Sequence, residues 1–219
     1  MADRRFGGDA VTPALDRLLD DPPERPRLIL RPPDWDRVMG WARATDAETS
    51  GMALLEADGA DLRVGRLFLL PQAGNEVETE LDPAALAALV GDLVDAGEDP
   101  AALRLWWHSH ARETPFWSGL DEHTIESFAP VAMVSLVVDH RARRLARLDR
   151  FEPSRVVQWV TLHLDRDGVI EDLGPPTARG AAGGHGDVGA HADVGSHDDV
   201  GRVVRRLDGP AGLRVGWRG

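Results

Sequence analysis

His108 and His110, with Asp121 behind them, are the residues whose types and spacing point to chemistry. The run before them, Leu-Arg-Leu-Trp-Trp at 103–107, reads as a strand of large apolar residues. On a strand, positions i and i+2 leave the same face, so the two imidazoles project together at a separation that suits one shared ion. Asp121 follows a turn marked by Pro115 and Gly119 and brings a carboxylate. Two His and one Asp, with a fourth position left to water, form the ligand set of an open, catalytic zinc site. Each piece alone has an ordinary reading. A single His on a strand is usually structural, and Ser118-Gly-Leu-Asp121 followed by Glu122 is a common helix start with Ser118 as N-cap. The two readings coexist, because an Asp in a first helical turn can still face a metal. What is specific is the joint spacing: His-x-His, seven residues, Ser-x-x-Asp.

That spacing resembles the JAMM motif of the MPN-plus metalloproteases, zinc isopeptidases that remove ubiquitin and ubiquitin-like proteins. The likeness is closest to bacterial and phage-type members. There a Trp precedes the first His and a Phe-Trp-Ser-Gly-x-Asp-Glu run follows, as Trp107 and residues 116–122 do here. The family pattern also has an upstream Glu on an earlier strand near a Gly, and Glu48-Thr-Ser-Gly51 matches it in order and distance. One departure is Ala111, where many members carry a Pro that shapes the loop and binds no metal.

The resemblance covers residues 27–165 and implies an α/β protein, a three-layer α/β/α MPN fold (cytidine-deaminase-like) around a mixed sheet. It implies zinc held by His108, His110 and Asp121. Glu48 would be the general base, taking a proton from the attacking water and returning one to the leaving amine. Ser118 would donate a hydrogen bond to the developing oxyanion. The implied substrate is the amide after the C-terminal Gly of a ubiquitin-like protein, cut in deconjugation or in precursor maturation, with the conjugation enzymes as further partners. An extended Gly-terminated tail would be held by backbone pairing to a strand edge. Three alternatives stay open: a JAMM peptidase that processes a sulfur-carrier protein in cysteine or cofactor biosynthesis, a catalytically silent MPN scaffold, and a DNA-linked protein of the RadC-like branch.

Composition bounds these readings. At 219 residues, 42% hydrophobic and 28% charged, the chain can bury one sizeable core and carry a tail. The absence of Cys removes disulfides, thiol catalysis and the Cys-ligated zinc that nucleobase deaminases use. A formal net charge of −12 argues against nucleic acid as a partner and suits a partner with a basic face. No apolar run approaches ~18 residues and the N-terminus lacks the apolar core of a signal peptide, so no membrane association and a cytoplasmic location are expected. Lys and Tyr are absent, and Asn75 is the one Asn. A GC-rich coding sequence would produce this pattern, and so would selection against lysine-directed tagging.

The elements that must position the site follow in order. Residues 1–26 read as a loosely held, flexible arm, within which 11–19 has the pattern of a short helix. A metalloprotease domain is expected over 27–171. Its predicted elements are a strand at 27–31, a helix at 34–45, a hairpin of 49–56 and 62–70 turning at Asp58-Gly59, and a helix at 82–96 capped by Asp82 and closed by Gly97. The strand with the two His comes next, then a helix at 119–128, an apolar strand at 131–139 and its antiparallel partner at 145–151. Residues 156–165 fit a strand or a short helix. The acidic loop at 72–82 corresponds to a region that often touches the distal partner or substrate in the resembled family, and its acidic run equally fits solvated surface. Residues 172–202 are low-complexity, with tandem His185-Gly-Asp-Val-Gly-Ala, His191-Ala-Asp-Val-Gly-Ser and His197-Asp-Asp-Val-Gly-Arg hexads. They read as a flexible linker or a weak metal-capturing tract, leading to a short C-terminal segment at 203–219.

Overall fold

A computed structural model of the chain describes residues 11–71, 82–111 and 113–174. The arm at 1–10, the loop at 72–81, the linker beyond 174 and the C-terminal segment lie outside the described residues. The elements begin with α1 (Val11–Asp20), β1 (Arg27–Leu30), α2 (Pro32–Arg43), β2 (Ser50–Asp58) and β3 (Asp61–Leu69). Next come α3 (Pro83–Asp95), a short 3-10 turn (Pro100–Ala102), β4 (Leu103–His110) and α4 (Gly119–Ser127). The sequence closes with β5 (Met133–Asp139), β6 (Arg144–Arg150), β7 (Val156–Trp159), β8 (Thr161–Arg166) and β9 (Val169–Asp172). Among the described residues no helix is long and apolar enough to cross a membrane.

The strands form one mixed sheet in the order β7-β6-β5-β4-β2-β3-β1-β8-β9. β4 sits inside it, antiparallel to β2 and parallel to β5. The region expected to be a strand or a helix is instead two strands split at Val160. Val160 N–H still donates to the Ala146 carbonyl of β6, while Thr161 N–H already donates to the Pro26 carbonyl beside β1. One residue spans only ~3.3 Å, yet β7 and β8 stand near opposite ends of the strand order, so the sheet curls until those ends meet. β9 has no counterpart in the expected elements. It pairs with β8 across Asp167-Gly168, both at positive φ (55° and 89°), the backbone a tight hairpin needs.

Helices lie on both faces of the sheet at β4. Trp107 points to the α2 side, where it stacks on Trp41 at 5.5 Å. Its neighbours His108 and Trp106 point the other way, toward α4. The register of β2 against β4 (Ser50↔His108, Gly51↔Trp107) is locked at Gly51. The Trp107 indole passes over that residue and donates to the Phe68 carbonyl of β3 at 3.3 Å. A Cβ on Gly51 would fall 1.9 Å from the Phe68 oxygen and 2.8 Å from the indole nitrogen. Helix α3 is capped as expected, with Asp82 accepting from Ala84 N–H at 2.8 Å and Gly97 following at φ +71°.

Helix α1 departs from the loosely held arm expected there. Leu15, Leu18 and Leu19 recur at i, i+3 and i+4 and are buried in the same core as β1, β2 and β5. Asp16 pairs with Arg104 of β4 at 2.8 Å. The sequence shows only a short helix next to Pro-rich chain; the packing comes from sheet curvature that brings a distant apolar face to it. Leu15→Ala is therefore expected to cost about 3 kcal/mol in urea unfolding, as a fully buried Leu does, where a detached arm would show no change. Gly51→Ala, from the overlap above, is expected to lose about 3 kcal/mol or more in the same assay.

Candidate metal centre

The last residues of β4 present His108 and His110 on one face, and the first turn of α4 presents Asp121 toward them. One ligand atom from each lies within 4.8 Å of the others, and all three residues are buried. His108 Nε2 is 3.4 Å from Asp121 Oδ1, and His110 Nε2 is 3.8 Å from Asp121 Oδ2. Ligands ~2.1 Å from a common tetrahedral ion sit ~3.4 Å apart, so small side-chain rotations close this cluster on a metal. His108 Nδ1, His108 Nε2 and His110 Nδ1 are buried without a hydrogen-bond partner. Unpaired buried groups cost ~1–3 kcal/mol each, and a bound cation would relieve those that face it. The donor set, two imidazoles and a carboxylate, suits a borderline-soft divalent ion. A metal ion can therefore be held here.

Electrostatics prepare the same result. Burial pushes the His108 imidazole toward its neutral form, the form that ligates metal. Burial acts on His110 in the same sense, but the Asp121 and Glu48 carboxylates outweigh it and raise its affinity for a proton. Asp121 would be pushed up by burial; the two imidazoles close by and the hydrogen bond from the Ser118 N–H hold it far below the usual carboxylate range. Asp121 therefore stays ionised and ready to ligate.

Each of the five expected site residues is placed at this end of β4. Glu48 lies just before β2 with its Oε1 4.0 Å from His110 Nε2, and its side chain is 24% exposed. Ser118 is the N-cap of α4, so the ordinary reading of that serine holds. Its Oγ accepts from Asp121 N–H at 3.2 Å, and its own N–H donates to Asp121 Oδ2 at 2.7 Å. This reciprocal capping box fixes the Asp121 rotamer. His123 is exposed and outside the cluster.

Several residues that build the centre were not singled out in the sequence. Trp106 stacks on His108 at 4.5 Å, and the Phe116 ring meets His110 edge-on at 4.7 Å. Beneath α4, Arg147 grips Glu122 with two bonds of 2.6 and 2.8 Å and Asp149 with one of 2.8 Å. Arg155 bonds Glu122, Glu126 and the same Asp149. Their partners are far apart in the sequence, so no local pattern marks them. Thr49 and Ser109, each flanked by a predicted site residue, had such a signal in their position.

No protein-family profile matches the sequence, and no curated protein matches it. Among solved structures the fold is similar to the solution structure of protein DSY2949 from Desulfitobacterium hafniense. The two are 19% identical and superpose with a TM-score of 0.50 over 64% of this chain and 95% of that one. At this identity the likeness is one of fold alone.

The centre generates a metal prediction. A divalent metal ion added to the full chain is expected to bind this site and to raise the melting temperature, as any ligand of the native state does. His108→Ala should abolish that stabilisation while leaving the capping box intact. Unchanged metal-dependent melting in His108→Ala would remove the ligand assignment.

Proposed function

We propose that this chain is a zinc-dependent peptidase of the JAMM, MPN-plus type, built on the α/β/α MPN fold. It cleaves the amide that follows the C-terminal Gly of a ubiquitin-like protein. One observation carries the reading: the buried His108–His110–Asp121 cluster, with unpartnered imidazole nitrogens, beside the partly exposed carboxylate of Glu48 just before β2. Zinc held there would act as a Lewis acid, acidifying a water and polarising a carbonyl oxygen.

The remaining work falls to the chain. Glu48 is the acid–base residue, because it is a partly exposed carboxylate whose Oε1 lies 4.0 Å from His110 Nε2. It takes a proton from water in the attack and delivers one to the departing amine. Ser118 spends one lone pair on the Asp121 N–H and keeps its O–H as a donor. Directed at a tetrahedral oxyanion, such a donor stabilises the transition state by ~3 kcal/mol. Phe116 and Trp106 border the imidazoles and limit water on that side. A Gly-terminated tail suits the site, since it brings no side chain to the reacting carbonyl.

The test uses a panel of ubiquitin-like proteins carrying a fluorogenic amide after their terminal Gly-Gly. Zinc-loaded wild type is expected to release the amine from at least one member. Glu48→Gln should keep zinc and fold yet lose about 10² to 10⁴ in kcat. A zinc-loaded wild type that cleaves none of the panel, or Glu48→Gln at wild-type rate, would overturn the reading.

A further inference from the structure

Ser109 stands between the two ligand histidines but points to the opposite face, where it is fully buried. It meets Thr49, the residue after Glu48. Ser109 N–H donates to the Thr49 carbonyl at 2.8 Å. In a regular antiparallel pair Thr49 N–H would return that bond to the Ser109 carbonyl. It donates instead to Ser109 Oγ at 3.0 Å, and the two hydroxyls share a further bond of 2.9 Å. The ladder register runs Met52↔Trp106, Gly51↔Trp107, Ser50↔His108. Continued by two residues, that register sets Thr49 against Ser109 and Glu48 against His110. The strand itself begins only at Ser50, and beyond it the bonds between Thr49 and Ser109 continue the alignment toward Glu48.

We propose that Ser109 is a positioning residue: through Thr49 its hydroxyl extends the β2–β4 register by the two residues needed to hold Glu48 opposite His110. This rests on the peptidase reading for its kinetic consequence, though not for its structural one. Because the clamp lies on the face away from the metal cluster, it acts on the acid–base residue and leaves metal binding alone.

The experiment compares zinc-loaded full-length wild type, Ser109→Ala, Ser109→Thr and Thr49→Val by zinc content, fluorogenic-amide kinetics and amide hydrogen exchange. Ser109→Ala is expected to retain zinc and to lose about 10-fold in kcat with KM within about 2-fold, the size of effect one hydrogen bond can give. Its Thr49 amide should exchange at least about 10-fold faster. Ser109→Thr, which keeps the hydroxyl, should stay within about 3-fold of wild type in both readouts. Unchanged kcat in Ser109→Ala, loss of zinc with activity, or an equal fall in Ser109→Thr would overturn the proposal. If Ser109→Ala fails to fold, Thr49→Val decides: it removes one hydroxyl at equal volume and should lower kcat about 3-fold with zinc retained, and no change would overturn the clamp. If wild type cleaves no member of the panel, the peptidase reading fails by itself, and the Thr49 exchange rates still judge the clamp.

Discussion

The centre depends on a single alignment, that of β2 against β4. A slip of one residue on a strand turns every side chain to the other face. Here it would send both imidazoles away from α4 and carry Glu48 out of line with His110. The alignment is enforced sterically. Trp107 crosses β2 to reach the Phe68 carbonyl on β3, and only a residue without Cβ can lie under it. Gly51 is thus a register pin. The stack of Trp41 on Trp107 fixes the indole from the helical side, so the sheet, α2 and the register specify one another.

A second constraint orients α4. Asp121 reaches the imidazoles only if the first turn of that helix keeps its height and rotation above β4. Glu122, one residue on and about 100° round the helix, pairs with Arg147 and Arg155, which share the fully buried Asp149. Ion pairs of this kind bring little net stability, because desolvation cancels most of the Coulomb gain. Burial indeed dominates at Asp149 and raises its proton affinity in spite of two guanidinium partners. Their contribution is geometric: bidentate arginines accept few alternative arrangements. The Arg147 guanidinium also lies 4.5 Å from the Trp117 ring centre, which ties the loop before Ser118 to the same anchor.

What the sequence made legible follows from which forces are local. The His-x-His spacing, the Asp82 and Ser118 caps and the hairpin of β2 and β3 are written within a few residues, and they appear where expected. The hairpin turn differs only in detail: Asp58 pairs directly with Asp61, leaving Gly59-Ala60 as the turn, with Gly59 at φ +63°. β9 was not among the expected elements, although Asp167-Gly168 ahead of it is a local hairpin signal. The burial of α1 and the split at Val160 were not legible, because both follow from the curl of the whole sheet. The arginine network under α4 was hidden for the same reason: Glu122 and Arg155 meet across 33 residues of chain.

Asp121 shows why the ordinary and the chemical readings of one residue need not compete. At the third position of a helix the usual capping-box residue is Glu or Gln. A carboxylate there has two oxygens, and the helix requires only one. Oδ2 accepts the Ser118 N–H, while Oδ1 is left facing His108 Nε2. A helix N-terminus carries about half a positive charge and by itself repels a cation. The ionised Asp121 offsets that charge at the place where a metal would enter. The capping bond in turn helps keep the carboxylate ionised, since the N–H bonds the charged form. A shorter acid than the usual Glu keeps the free oxygen close to the helix start, within reach of imidazoles anchored on β4. The cap and the ligand are one device, and neither oxygen could be given up without weakening the other's role.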